Sequence, residues 1–315
     1  MSLLSASAPG TLMLLGEHAV LDGRLALAAA VDARLKVTLV PHDTHAITIH
    51  STLGTCECTL TDLGAASSTR LGGHAFRFII MSLRQYASQL PSGFTLEVET
   101  DFSDTIGFGS SAAVTVATHL VLRHFCNMPT DPTTLFRVCL DSVRNVQGMG
   151  SGTDLAACIH GGVVAYRAHP FEWTPLTMSH PITVVYSGHK TPTPEVIRYV
   201  HEEKTKRPEA FVAIYDAIEQ SVLAAIEAIR NHDGLALGQL LNENQRYMCD
   251  MGVCDDDLET IVTYLQNQPG IFGAKISGSG LGDCAVGLGT ADVSALPYAS
   301  IPSRICEQGA TLDEG

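Results

Sequence analysis

Residues 107–113, Gly-Phe-Gly-Ser-Ser-Ala-Ala, open an apolar helical pattern that continues to Cys126. Glycines and serines side by side let a backbone turn tightly and wrap a polyanion. The first turn of the helix behind them carries unpaired N–H groups and the positive end of the helix dipole. Two more glycine-rich segments punctuate the chain, Ala8 to Gly23 near the start and Lys275 to Cys284 near the end. Together the three point to nucleotide-dependent phosphoryl transfer. The middle one is where the anion would sit.

The common nucleotide folds do not account for residues 107–113. A P-loop needs a lysine after its last glycine, and none is present; a dinucleotide fingerprint needs a third glycine where Ala112 stands. Taken alone, the segment also reads as a Gly/Ser loop that caps a helix. Gly16-Glu17-His18-Ala19 places an acid and a histidine after an apolar strand, where a strand-to-loop turn can aim side chains into a cleft. A third approach, Gly148-Met149-Gly150-Ser151-Gly152-Thr153, leads to Asp154. That carboxylate could take a proton from a substrate hydroxyl at a reach of about 3 Å. Asp before Leu-Ala-Ala is equally a helix N-cap signal, and both readings can hold for one residue.

The charge balance narrows the partners. With 33 acidic against 19 basic residues, a net charge of −14, and no basic cluster beyond Lys204 to Arg207, neither nucleic acid nor an anionic membrane is expected. A small-molecule substrate is. Nine scattered cysteines do not form a disulfide framework, and Cys56-x-Cys58 and the Cys249/Cys254 pair lack structural-zinc spacing. A reducing cytoplasm is expected. No basic n-region of a signal peptide precedes the first motif, and no apolar run approaches the about 18 residues of a membrane span.

Periodicity predicts strands over residues 11–15, 35–40, 46–50 and 94–99, interrupted by helices over 74–89, 110–126 and 133–145. After a strand at 162–167, a turn-rich stretch from Ala168 to Pro181 marks a domain boundary. Beyond it a strand is expected at 182–186, helices at 194–201, 208–232 and 255–266, and strands at 272–276 and 284–288. Thr193 is the predicted N-cap of the first of these helices, with Pro194 at its first position.

The three segments, in this order and spacing, resemble the GHMP small-molecule kinases along essentially the whole chain. Gly16-Glu17-His18-Ala19-Val20-Leu21-Asp22-Gly23 and Asn242 through Val253 are most similar to the mevalonate kinases of that family. The resemblance implies an α+β fold of two domains, residues 1–170 similar to the second domain of ribosomal protein S5 and residues 171–315 ferredoxin-like, with the active site between them. It implies ATP as donor with Mg²⁺, and phosphorylation of the primary hydroxyl of mevalonate. Gly107, Gly109, Ser110, Ser111 and Ala112 would hold the phosphates, and Ser111 the metal. Asp154 would be the catalytic base. Glu17, His18, Thr193, Gly278, Ser279 and Gly280 would bind or shape the acceptor site. A homodimer is left open.

Three positions depart from the family. Thr11 stands where mevalonate kinases carry a lysine after Pro-Gly, Val143 where a magnesium-binding glutamate precedes the aspartate by eleven residues, and Ser103 where a proline opens the second motif. Losing one preorganised donor costs about 10²- to 10³-fold in turnover, which weakens catalysis without removing it. Lys190, after the strand at 182–186, is the candidate replacement; an exposed loop lysine is the plain alternative. The Gly148–Gly152 approach and the Gly282-Asp283-Cys284 ending are closer to phosphomevalonate kinases. Thr11 and Val143 also allow a non-catalytic sensor that binds ATP and a metabolite.

Overall fold

The computed structural model describes residues 3–64, 71–103 and 106–314. Thr105 of the sequence pattern lies outside them. The first half runs β1 (Leu4–Leu15), a 3₁₀ turn (Ala19–Asp22), β2 (Ala26–His42), β3 (Ala46–Ser51), β4 (Gly54–Thr59), α1 (Leu60–Gly64), α2 (Arg77–Gln85) and β5 (Gly93–Thr100). It continues with α3 (Ser110–Phe125), α4 (Pro132–Gln147), α5 (Thr153–His160), β6 (Val163–Arg167) and β7 (Glu172–Leu176). The second half holds β8 (Ile182–Lys190), α6 (Thr193–Lys206), α7 (Pro208–Arg230), α8 (Gly234–Asp250), α9 (Asp256–Gln266), β9 (Ile271–Ser277), β10 (Gly282–Gly289), β11 (Ala299–Ile301) and β12 (Thr311–Glu314).

Two sheets organise these elements. The first has the order β12-β1-β2-β5-β3-β4, and the long β2 forks: Ala26–Ala29 pair with β6, while Leu35–His42 pair with β5. β1 is buried along almost its whole length, so its side chains are apolar on both faces rather than alternating. The second sheet has the order β11-β8-β10-β9; numbered in chain order this is 4-1-3-2, the antiparallel arrangement of a ferredoxin-like unit. Residues 290–298, between β10 and β11, hold no helix. No helix among the described residues is long and apolar enough to cross a membrane.

The expected units, 1–170 and 171–315, differ from the sheets at two places. The stretch read as a boundary contains β7, which pairs with β6, and β12 pairs with the outer edge of β1. The return of the chain is fastened by Arg34, which donates to the carbonyls of Gln308 and Gly309 and to Ser7. Periodicity misses both strands because Glu172–Leu176 contains a proline at a sheet edge and Thr311–Glu314 is only four residues long.

Caps set the helices around the site. Asp131 caps α4, accepting from the Thr134 N–H at 3.0 Å, and Asp255 caps α9, accepting from Leu258 at 2.9 Å. The expected cap at Thr193 moves by one: Pro192 is the N-cap, and Thr193 is the first residue of α6.

Candidate active site

The strand ends aim the three glycine segments at one place. After β1 the chain must turn at Gly16, φ 97°, where a Cβ would lie 2.5 Å from the Ala26 backbone, and the turn delivers Glu17 and His18. Gly109, φ 60°, ends the second segment and is the N-cap of α3 with no side-chain hydrogen bond. The third segment is the loop between β9 and β10. All three line a cavity of about 180 Å³ between the sheets. Of the expected residues, Glu17, His18, Gly107, Gly109, Ser110, Ser111, Ala112, Asp154, Lys190, Thr193, Gly278 and Ser279 line it. Gly280 does not: it backs onto Val253, where a Cβ would lie 2.4 Å from the carbonyl oxygen.

Asp154 is the second residue of α5, whose N-cap is Gly152, so its carboxylate is not spent on its own helix. Oδ1 instead accepts from the Thr11 hydroxyl at 3.0 Å. Gly109 lies beneath this pair, and a Cβ there would come within 2.1 Å of Thr11 Oγ1. Thr11 therefore orients the carboxylate through a neutral donor. Burial pushes the Asp154 carboxyl above the ordinary aspartate value; the Thr11 hydrogen bond and the Lys190 charge oppose that shift, while Asp283 and Glu17 add to it.

A base must be ionised to act, so activity carried by Asp154 falls as pH drops through this raised value, at higher pH than for an exposed aspartate. Lys190→Ala removes an opposing charge. The acid limb of the kcat/KM profile is expected to move to higher pH in that variant, and an unmoved limb would sever Lys190 from Asp154.

Lys190 also meets Asp283, Nζ to Oδ2 3.3 Å. Asp283 is 5% exposed, sits at φ 83° and packs against Gly107 so closely that a Cβ on that glycine would overlap its carboxylate. Its Oδ1 has no hydrogen-bond partner among the described residues. Burial raises its carboxyl, with the Lys190 charge opposing. Beside the small cavity lies a cleft of about 930 Å³, with Phe76, Phe78, Phe102 and Val114 on its wall. The two share Ser110, Ser111, Gln147, Lys190, Thr193 and Pro194. An elongated ligand in the cleft and a small one in the cavity would meet at the start of α3, beside Lys190.

Glu17 and His18 are not equivalent in the small cavity. Glu17 forms an ion pair with Lys275 of β9, both almost fully buried, and its Oε2 has no partner among the described residues. Burial draws the Lys275 ammonium down while Glu17 holds it up. His18 Nε2 is 2.8 Å from the Ser279 carbonyl, which only accepts, so Nε2 carries the proton and Nδ1 is left as an acceptor. Burial keeps the ring below its ordinary value, against the pull of that hydrogen bond. Sequence reading passed over Thr11 as a partner of Asp154, and over Asp283 and Lys275. The Asp283 signal was visible, an acid inside a glycine loop; the other two needed the fold.

The oxygen donors fit a hard divalent cation. The Ser110 and Ser111 hydroxyls sit where the first turn of α3 begins, and Asp283 and Asp154 line the same cavity, while Val143 brings only an apolar wall. Magnesium is commonly held by one or two carboxylates together with phosphate oxygens.

Comparison with known proteins agrees with this geometry. Residues 74–162 match the family model described as the GHMP kinases N terminal domain, and residues 225–296 match the GHMP kinases C terminal model. The chain is similar to a mevalonate kinase of Aeropyrum pernix, 31% identical over 98% of this chain and 98% of that protein. It is also similar to one from Methanothermobacter thermautotrophicus, 32% identical over 88% of each. The crystal structure of the Methanococcus jannaschii mevalonate kinase shares the fold, with a TM-score of 0.82, 19% identity and coverage of 96% and 98% of the two chains.

Proposed function

Since this chain belongs to the GHMP kinases, we propose that its paired cavities transfer the γ-phosphoryl group of ATP to the primary hydroxyl of mevalonate. The observation that carries this reading is the shared wall: Ser110, Ser111 and Lys190 border both the large cleft and the small cavity, and Asp154 lies on the small side only. The large cleft offers the apolar wall a purine needs. The start of α3 offers free N–H groups to phosphate oxygens. Magnesium, when bound, would neutralise charge on the transferred group, and Ser111 with Asp283 would hold it.

Positioning does most of the work in such a transfer. Asp154, fixed by Thr11, accepts the hydroxyl proton as the oxygen attacks. Lys190 supplies the positive charge that position 11 lacks. The neutral His18, with Nδ1 free to accept, is placed to hold a hydroxyl or a protonated group of the acceptor, and Thr193 closes the cavity from α6.

The test is to supply mevalonate and phosphomevalonate separately with ATP and magnesium and to identify the products. Phosphate appearing on the primary hydroxyl of mevalonate is the expected result. Turnover confined to phosphomevalonate, or ATP binding without turnover on either, would replace the proposal with one of the two alternatives.

A further inference from the structure

The end of α8 brings two thiols together outside the active site. Gly252, φ 84°, lets the helix close with Gly252 N–H donating to Cys249 O at 2.9 Å and Val253 N–H donating to Met248 O at 3.2 Å. This paired closure turns the chain back on itself. Cys254 then lies beside Cys249, and the Nε2 of Gln245 is 3.5 Å from each sulfur. Both can be reached from solvent, Cys249 being exposed and Cys254 half-buried, whereas Cys139, Cys158 and Cys284 are buried.

The same turn supports the third glycine loop. Leu281 N–H donates to Val253 O at 2.8 Å, and Gly280 packs directly on that carbonyl. Gln245 reaches the other way, its Oε1 accepting from Ile276 N–H of β9 at 2.8 Å. One residue pair therefore touches the support of a loop whose Ser279 carbonyl holds His18.

We propose that Cys249 and Cys254 form a reversible disulfide with a small-molecule disulfide as oxidant, and that its closure loosens the third loop and slows phosphoryl transfer. In the first step the Cys249 thiolate attacks one sulfur of the oxidant, forming a mixed disulfide and expelling one thiolate. In the second the Cys254 sulfur, giving up its proton, attacks Cys249 Sγ and expels the other. Two protein thiols lose two electrons and two protons; the oxidant gains both and leaves as two thiols. Cys249 is the attacking partner because it is the more exposed and because its thiol is held below its ordinary value by the neighbouring Cys254, whose own thiol is held well above. Closure draws the sulfurs to about 2 Å of each other, which changes the contacts Gln245 Nε2 makes with both.

The loss of activity rests on the kinase reading; the disulfide and the loosened loop do not. The full chain is equilibrated with graded mixtures of oxidised and reduced glutathione, alkylated, and mapped by mass spectrometry. The expected result is that Cys249 and Cys254 resist alkylation together, as a peptide two hydrogens lighter, and regain reactivity with dithiothreitol. Cys254→Ser is expected to trap glutathione on Cys249. Hydrogen exchange at the Leu281 amide should quicken on oxidation, and turnover should fall several-fold and recover on reduction, with Cys249→Ser unaffected. Two cysteines that stay alkylatable across the series would overturn the site. A disulfide that forms while Leu281 exchange and turnover stay unchanged would overturn the coupling. Faster exchange in a chain without turnover on any acceptor would instead locate the failure in the kinase reading.

Discussion

Asp154→Asn is expected to lower turnover by about 10³-fold, within the range of about 10²–10⁴ that general-base catalysis contributes, while nucleotide affinity stays close to that of the parent. The substitution keeps the shape of the site. An asparagine carbonyl can still accept from the Thr11 hydroxyl, which is 3.0 Å from the present carboxylate, so α5 and the second motif keep their contact. What is lost is the ability to take a proton. Nucleotide affinity is spared because Asp154 lines the small cavity and not the large cleft. Steady-state kinetics beside calorimetry with a non-hydrolysable ATP analogue separates the two effects. A variant with turnover near the parental value would remove Asp154 from its role as base.

Lys275→Met carries the largest expected loss of stability. Lys275 is 0% exposed and Glu17 is 3% exposed, and their ion pair joins the second sheet to the turn that follows β1 of the first. Methionine fills a similar volume but leaves the buried Glu17 carboxylate without the partner of its Oε1, with Oε2 already lacking one among the described residues. Breaking one side of a buried pair costs about 3–5 kcal/mol, whereas replacing both partners is often neutral. The double variant Glu17→Gln with Lys275→Met is therefore expected to recover most of the loss in urea denaturation. A single variant within about 1 kcal/mol of the parent would show that the pair contributes little to stability.

The motifs were legible because they are chemical. Glycine at a position with positive φ, or where a neighbour leaves no room for a Cβ, is dictated by local sterics, and Gly16, Gly107 and Gly109 each meet one of these conditions. The apolar periods placed α3, α4, β3, β5, β9 and β10 within a few residues, but caught only parts of β1 and β2 and none of β4, β7, β11 and β12. Partnerships across the chain were not legible. Thr11 and Asp154 are 143 positions apart, and nothing in a threonine after Pro-Gly signals that its hydroxyl will hold a carboxylate. The same distance effect hid the ion pair of Glu17, which reads as a cavity residue until β9 supplies Lys275. Periodicity placed no helix over α8, since its buried face mixes Gly234 and Gly238 with Asn244 and Gln245 and so blunts the apolar period.

The pairing of β12 with β1 bears on how the chain is made. Ser7 and Thr311 share a hydrogen bond across 304 positions, so the outer edge of β1 lacks this neighbour until the intervening 304 positions have been synthesised. An uncovered, largely apolar strand invites mispairing with other nascent copies. Biogenesis of this molecule accordingly has a vulnerable interval that ends only when β12 docks.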